Sequence, residues 1–250
     1  MERWSRQVAL VTGASSGIGA EIARALAIKG MQVIAVARRV DRLQELAADV
    51  QRKFNAKLHP MRCDVQKEEE IVEVFKWAEK HLGGVDVLIN NAGVISTVSL
   101  SEECTDTLQK ILNVNVLALA ICSREFIQSV KKRKASGHII NIGSIAGQLV
   151  EMMPVSMSLY PASKYAVRGM AASLRGDLAR EKLDVKVTNI IPGPVKSEMI
   201  DEFGKVNFGP VLEVKDIADT VIYILSMPPH VQIWDITLLA HNPNEEPPSS

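Results

Sequence analysis

A tyrosine and a lysine four residues apart carry the strongest chemical signal in this chain. Tyr160 and Lys164 are separated by about one helical turn, so both side chains are expected on one face of a helix. A phenol has an ordinary pKa of about 10, and a neighbouring ammonium group favours the phenolate and lowers that pKa. Such a tyrosine can exchange a proton with an alcohol near neutral pH. Because a Y-x-x-x-K pair also occurs by chance, its interpretation depends on the motifs that accompany it.

A glycine-rich turn near the N-terminus has the pattern of a nucleotide-binding loop. Gly13, Gly17 and Gly19 form a G-x-x-x-G-x-G pattern between a predicted strand and a predicted helix. Glycine lets the backbone approach a pyrophosphate, and a helix N-terminus supplies N–H groups and a favourable dipole. The spacing differs from the more common G-x-G-x-x-G, and a tight structural turn is the alternative. The strand before and the helix after favour a nicotinamide nucleotide, which carries hydride.

The residues after the second predicted strand indicate which nucleotide binds. An acidic residue there, roughly 20 residues beyond the glycines, would bind the 2′-hydroxyl of NAD. The chain has Ala37, Arg38 and Arg39 instead. No carboxylate is expected to repel a 2′-phosphate, and a guanidinium is available to pair with it, so the sequence predicts NADP(H). The alternative is that the arginines are a solvated start to the next helix.

Strands and helices alternate along the chain. Apolar runs predict strands at 8–11, 31–37, 58–63, 85–89, 138–142, 185–191 and 232–239. Helical periodicity predicts helices at 17–29, 41–53, 67–81, 105–130, 160–181 and 215–225. This alternation predicts an α/β fold of the Rossmann type, a doubly wound, seven-stranded parallel sheet with helices on both faces. We expect one domain over residues 1–240 and a disordered tail over 241–250.

Composition excludes several classes of function. The chain has 250 residues, with 29 Lys+Arg against 29 Asp+Glu, which gives no reason to expect a nucleic-acid or membrane partner. Cys63, Cys104 and Cys122 fit no zinc spacing, and the five histidines form no ligand cluster, so no metal site is expected. No apolar run is expected to reach membrane-span length, and the first residues do not resemble a signal peptide. A cytoplasmic location is therefore expected.

Taken together, the motifs resemble the short-chain dehydrogenase/reductase family. The resemblance extends from about residue 7 to residue 197, and the family's motifs occur in order at 12–19, 63–65, 90–93, 115, 144, 160–164 and 192–193. It implies hydride transfer between a nicotinamide and a substrate carbon. It implies that Ser144 hydrogen-bonds the substrate oxygen, that Tyr160 donates or removes the proton, and that Lys164 lowers the pKa of Tyr160 and binds the ribose. For Ser144 the alternative is turn chemistry after a strand.

The same resemblance assigns further residues. Asn115 is similar to the family's fourth catalytic residue, which holds a water that links the lysine to solvent; Asn113 is the rival assignment. Asp64 and Val65 resemble the pair that contacts adenine, and Ser197 stands where the family usually has a threonine that bonds the carboxamide. The residues expected to bind the cofactor are Gly13, Ser15, Ser16, Gly17, Ile18, Gly19, Arg38, Arg39, Asp64, Val65, Asn91, Ala92, Gly93, Tyr160, Lys164, Pro192, Gly193, Val195 and Ser197.

Two apolar, methionine-rich segments, at 148–159 and 196–212, suit a bulky hydrophobic alcohol or ketone. Ordinary packing or an oligomer contact is the alternative. Residues 1–4, 113–119, 137–142 and 230–233 resemble the family branch of insect farnesol dehydrogenases and related vertebrate cytosolic enzymes. That branch implies an isoprenoid alcohol or a keto- or hydroxysteroid as substrate, with NADP.

The family resemblance also implies a homodimer or homotetramer, which associates through the helices at 105–130 and 160–181. An alternative function is a catalytically silent NADP-binding sensor or scaffold, but all four expected catalytic residues are present. A non-redox enzyme such as an epimerase is less favoured, because the chain has no large substrate domain.

Overall fold

Seven parallel strands form one sheet in residues 1–241, the part of the chain that the computed structural model describes. They are β1 (Val8–Thr12), β2 (Gln32–Ala37), β3 (Leu58–Arg62), β4 (Val87–Asn90), β5 (Gly137–Ile142), β6 (Val185–Pro192) and β7 (Asp235–Leu238). The order β3-β2-β1-β4-β5-β6-β7 confirms the predicted doubly wound sheet. It reverses direction between β1 and β4, the point at which such sheets bind ligands. Of the predicted tail at 241–250, residues 242–250 lie outside the described residues.

Helices cover both faces of the sheet. They are α1 (Gly17–Ile28), α2 (Val40–Phe54), α3 (Glu68–Leu82), α4 (Thr105–Leu112), α5 (Ala118–Arg133), α6 (Tyr160–Arg180), α7 (Glu198–Asp201) and α8 (Val214–Ser226). Short 3₁₀ turns lie at Glu2–Trp4, Ile145–Gly147 and Val150–Met152. In β1, Ala9 and Val11 pack towards α1, α2 and α8, whereas Val8 and Leu10 pack towards α3, α5 and α6. This two-residue alternation builds one apolar core on each face.

The last strand is shorter than the sequence predicts. It begins at Asp235, and side chains of β6 bind the backbone carbonyls of the residues before it. Lys186 Nζ donates to the Val231 carbonyl at 2.6 Å, and Thr188 Oγ1 donates to the Ile233 carbonyl at 2.6 Å. These bonds satisfy the backbone without a strand ladder.

The predicted helix at 105–130 is interrupted near its middle. A π-helical turn, Asn113–Leu117, joins α4 to α5. Such turns are rare and occur frequently at functional sites. This one contains both asparagines that the sequence offers as the fourth catalytic residue. The turn leaves Asn115 buried and Asn113 exposed.

The same stretch is more apolar than expected. From Thr105 to Arg133 it is long and apolar enough to cross a membrane by length and composition, with a mean hydropathy of 1.3 in its best window. The expectation that no run reaches this length is therefore wrong. Half of that window is buried inside the protein, and Phe126 and Val130 belong to the core shared with α3. These contacts are those of a core helix.

Three asparagine amides and one aspartate carboxylate form a ladder of side-chain hydrogen bonds across four strands. Asn90, Asn141 and Asn189 occupy paired positions on β4, β5 and β6, and Asp235 is paired next on β7. Asn90 Nδ2 donates to Asn141 Oδ1 at 3.0 Å, and Asn141 Nδ2 donates to Asn189 Oδ1 at 3.0 Å. Asn189 Nδ2 then donates to Asp235 Oδ1 at 2.8 Å. The ladder fixes the register of the strands that lead to the site.

Candidate active site

A cleft of about 500 Å³ lies at the carboxyl edge of the sheet and brings the predicted residues together. Three of the four predicted catalytic residues line it: Ser144, Tyr160 and Lys164. Asn115 does not line the cleft, but it hydrogen-bonds Val94, which does. Every residue predicted to bind the cofactor lines it: Gly13, Ser15, Ser16, Gly17, Ile18, Gly19, Arg38, Arg39, Asp64, Val65, Asn91, Ala92, Gly93, Tyr160, Lys164, Pro192, Gly193, Val195 and Ser197.

The glycine turn is shaped for close approach by a ligand backbone. Gly13 and Gly17 have φ angles of +66° and +54°, which side chains rarely allow. A Cβ at Gly13 would lie 2.9 Å from Ala92 Cα, and one at Gly19 would meet the Gly13 carbonyl. The Ser16 side chain does not cap α1, which leaves the N–H groups at this helix end for an anion. These residues fit the pyrophosphate of a dinucleotide.

Thr12, which the sequence analysis did not assign, joins the glycine turn to the segment after β4. Its Oγ1 accepts hydrogen bonds from Asn91 N at 3.0 Å and from Ala92 N at 3.1 Å. In return, Asn91 Nδ2 donates to the Thr12 carbonyl at 2.9 Å. The two walls of the nucleotide end of the cleft are therefore fixed to each other. Its sequence signal is a hydroxyl at the last position of an otherwise apolar strand.

Asn115 connects the segment after β4 to α6. Its side chain accepts from Val94 N and donates to the Val94 carbonyl, both at 2.9 Å. It also donates to Ser163 Oγ at 2.9 Å, and Ser163 donates to the Tyr160 carbonyl at 2.6 Å. Burial and contacts thus favour Asn115 over Asn113 for the site. Ser163 was missed, although it is a hydroxyl residue inside the Y-x-x-x-K motif.

Tyr160 and Lys164 lie side by side at the start of α6, and both are buried. Lys164 Nζ is 5.5 Å from the centre of the Tyr160 ring and donates to the Ile142 carbonyl at 3.0 Å. Burial raises the pKa of Tyr160 to about 12, and a hydrogen bond with Ser144 opposes that rise. Burial also lowers the pKa of Lys164 to about 8. The pKa of Tyr160 in the chain alone is therefore raised and not lowered as expected, because burial is the largest influence on it.

Ser144 both caps a turn and lines the cleft. It lines the cleft, and its Oγ accepts from Ala146 N at 3.2 Å, which caps the 3₁₀ turn at Ile145–Gly147. That turn packs directly on α6, because a Cβ at Gly147 would lie 2.8 Å from the Lys164 carbonyl carbon. Gly147 thus sets the distance between the serine and the tyrosine–lysine pair.

The two arginines after β2 have different surroundings. Arg38 is exposed at the cleft and forms no ion pair within residues 1–241. Arg39 is also exposed, and its guanidinium donates to Ser16 Oγ at 2.7 Å and to Ser15 Oγ at 3.1 Å. The second arginine is therefore held against the glycine turn, while the first remains available at the cleft.

Arg39 forms an ion pair with Glu198, a carboxylate that the sequence analysis missed. Glu198 Oε2 is 3.0 Å from an Arg39 guanidinium nitrogen, and Glu198 Oε1 pairs with Arg42. The side-chain hydrogen bonds of Arg42 and Arg39 hold the pKa of Glu198 below its ordinary value. A carboxylate therefore lies beside Arg39 in the structure, although none follows β2 directly in the sequence. Glu198 is 159 residues from Arg39, so no local pattern could reveal it.

The other end of the cleft is apolar. Phe203 and Phe208 meet edge to face, with ring centres 5.2 Å apart. The remaining apolar side chains at this end include Ile95, Ile145, Met153, Met157, Met199 and Ile200. Both predicted segments contribute, but Leu149 points away and is 43 % exposed. The cleft therefore joins a polar nucleotide end to an apolar end across Ser144 and Tyr160.

Comparisons with known proteins identify the family. A family model described as short chain dehydrogenase matches residues 7–206. The chain belongs to the short-chain dehydrogenase/reductase family. This short-chain dehydrogenase is 44 % identical over 239 residues to the farnesol dehydrogenase of Aedes aegypti, with 95 % of this chain and 97 % of that protein covered. It is 41 % identical over 250 residues to human dehydrogenase/reductase SDR family member 11, with 95 % of each covered.

Solved structures agree with this membership. An alcohol dehydrogenase from the archaeon Thermococcus sibiricus, complexed with 5-hydroxy-NADP, has a TM-score of 0.83 and 27 % identity, with 97 % of this chain and 99 % of that chain covered. A short-chain dehydrogenase/reductase from Burkholderia phymatum in complex with NAD shows the same fold, with a TM-score of 0.83, 24 % identity and coverage of 95 % and 90 %. The predicted family is confirmed, and the protein is an oxidoreductase that uses a nicotinamide cofactor.

Proposed function

We propose that this short-chain dehydrogenase transfers hydride between NADP(H) and a hydrophobic alcohol or ketone, either an isoprenoid alcohol or a keto- or hydroxysteroid. The observation that carries the proposal is the order of groups along one cleft. An arginine-bordered glycine turn lies at one end, an apolar pocket at the other, and Ser144, Tyr160 and Lys164 lie between them.

The chain's own groups suit the proton transfer. Bound nicotinamide supplies or accepts the hydride. Ser144 hydrogen-bonds the substrate oxygen, and Tyr160 moves the proton to or from that oxygen. Tyr160 carries its proton at neutral pH, so it can give that proton to a carbonyl oxygen in reduction, and its deprotonated form can take one from an alcohol in oxidation. Lys164 binds the nicotinamide ribose, and its bond to the Ile142 carbonyl holds the side chain in place.

Two arginines support the choice of NADP over NAD. Arg38 presents an unpaired guanidinium at the cleft within the described residues, and Arg39 lies against the glycine turn. A guanidinium is the side chain best matched to a phosphate. Arg38→Ala is expected to reduce the ratio of NADP to NAD activity, measured as kcat/KM with each coenzyme. An unchanged ratio would mean that Arg38 does not determine the preference between NADP and NAD.

The substrate class follows from the apolar end of the cleft. Aromatic and methionine side chains there suit a flexible or bulky hydrocarbon. The 44 % identity to a protein named farnesol dehydrogenase supports an isoprenoid alcohol. The 41 % identity to human dehydrogenase/reductase SDR family member 11 supports the same family branch.

The deciding experiment follows nicotinamide absorbance with purified protein. It crosses NADP and NAD with farnesol, a hydroxysteroid and a keto-steroid, and repeats each assay with Tyr160→Phe. We expect NADP-dependent turnover of one substrate class, which Tyr160→Phe abolishes without loss of NADP binding. Tight NADP binding without turnover of any substrate would instead favour a silent sensor or scaffold.

We also propose a cytoplasmic protein that forms a homodimer or homotetramer. The oligomer is supported by exposed apolar side chains on the helices expected to form the interface. Leu112 and Leu117 are 44 % and 53 % exposed, and Tyr165 on α6 is 43 % exposed. Light scattering after size exclusion tests the oligomer. A monomeric mass at micromolar concentration would contradict it.

A further inference from the structure

The carboxylate of Glu198 lies beside Arg39, one of the two arginines proposed to favour NADP. Glu198 pairs with Arg39 and Arg42, and Arg39 also bonds Ser15 and Ser16 of the glycine turn. We infer that Glu198 competes with the 2′-phosphate for Arg39 and thereby limits the preference for NADP over NAD. This inference rests on the proposed nucleotide site, but its test separates it from the choice of coenzyme.

The chemistry of the groups makes such an exchange direct. A carboxylate and a phosphate both accept hydrogen bonds from guanidinium nitrogens, and the phosphate brings more charge and more oxygens. Glu198 uses one oxygen for each arginine. A nucleotide without a 2′-phosphate has no group that replaces these contacts. Glu198 therefore acts against NADP and leaves NAD unaffected.

The exposure of the three side chains makes the ion pairs weak enough to exchange. The side chains of Arg39, Arg42 and Glu198 are 47 %, 44 % and 52 % exposed. Water screens ion pairs of this kind, so each changes an equilibrium by about one- to fivefold. The competition is thus expected to tune the affinity for NADP and not to abolish it.

Glu198 also connects the two ends of the cleft. It is the first residue of α7, and the next residues, Met199 and Ile200, line the apolar end. Ser197, just before it, approaches the glycine turn, since a Cβ at Gly17 would lie 3.4 Å from Ser197 Cβ. Glu198 therefore lies between the glycine turn and the segment that lines the apolar end of the cleft.

The test measures equilibrium Kd values of NADP and NAD for the full-length protein by calorimetry. It compares the wild type with Glu198→Gln, which keeps the size of the side chain and removes its charge. Asp201→Asn is the matched control, because Asp201 is an exposed acid in the same short helix, lines no part of the cleft and forms no ion pair within residues 1–241.

We expect Glu198→Gln to tighten NADP binding by about two- to fivefold and to leave the Kd of NAD unchanged. Asp201→Asn should alter neither. A weaker or unchanged affinity for NADP in Glu198→Gln would overturn the competition. An equal gain in NADP affinity with Asp201→Asn, or an equal gain in NAD affinity with Glu198→Gln, would also overturn it. The gain would then come from the loss of one negative charge and not from the contact with Arg39.

The two proposals fail separately in this experiment. A wild-type preference for NAD would contradict the proposed NADP dependence. If Glu198→Gln still gained affinity for NADP alone, the competition would nevertheless hold. Conversely, a wild-type preference for NADP that Glu198→Gln leaves unchanged would overturn only the role of Glu198.

Discussion

The buried histidine in β5 is expected to make the folded protein sensitive to acid. His138 is 2 % exposed, and its Nε2 lies 2.9 Å from Thr188 Oγ1. Thr188 already donates its only hydroxyl proton to the Ile233 carbonyl, so Nε2 must be the donor to Thr188. His138 Nδ1 has no hydrogen-bond partner within the described residues. A proton added there would have no acceptor.

The magnitude follows from the pKa of this group. Burial, with smaller effects from Lys186 and Arg3, lowers the pKa of His138 from 6.5 to about 3. Between these values the unfolded chain binds a proton that the folded protein does not. The free energy of unfolding therefore falls as the pH falls, by about 1.4 kcal/mol for each pH unit. The loss is roughly 2 kcal/mol at pH 5, and it is complete near the folded-state pKa.

The assay is urea unfolding, followed by tryptophan fluorescence at several pH values between 7 and 5. His138→Gln removes the titration and keeps an amide that can donate to Thr188. We expect the variant to lose about 2 kcal/mol less than the wild type over this range, whatever its stability at pH 7. His230→Gln, at an exposed position, is the control and should follow the wild type. Equal pH slopes in the wild type and His138→Gln would refute the reasoning.

Three further substitutions test the packing and hydrogen bonds around the site. Gly147→Ala places a methyl group against the Lys164 backbone, so kcat should fall by at least tenfold while coenzyme Kd changes less. Asn141→Leu breaks the amide ladder at its centre and leaves buried polar groups without partners, which should cost about 2–4 kcal/mol in urea unfolding. Ser163→Ala removes the bonds to Asn115 and the Tyr160 carbonyl; we expect a loss of about 1–3 kcal/mol and a lower kcat, whereas Ser163→Thr should retain most of both.

The sequence predicts the parts of the fold that depend on local pattern. Apolar runs mark the inner strands, because strands covered on both faces must be apolar throughout. The edge strands β3 and β7 are only partly buried. The limits of β7 could not be predicted from local pattern, since the residues before it bind Lys186 and Thr188 of the neighbouring strand. The π-helical turn at Asn113–Leu117 was also missed, because its residues fit the helical pattern on either side.

In the candidate site, too, the sequence predicts what depends on local motifs and misses what depends on tertiary contacts. Its residues were predicted because each lies in a short motif, and the fold brings those motifs to one cleft. The direction of the Tyr160 pKa was wrong, since a Y-x-x-x-K motif shows a nearby ammonium group but not how deeply both groups are buried. Glu198 was missed because its contact with Arg39 exists only in three dimensions.

The amide ladder has a direction, and a single charge at its end sets it. A carboxylate can only accept, so Asp235 obliges Asn189 to present its NH₂ group, which obliges Asn141 and then Asn90 to do the same. The Asp235 carboxylate at the edge of the sheet therefore determines the orientation of all three buried side-chain amides, and the backbone does not have to move. The unmatched Asn90 Oδ1 is the far terminus of this series, where a donor would be needed and none follows within residues 1–241. Replacing Asp235 by asparagine would leave both polarities open, and the interior would then hold a mixture of two amide orientations.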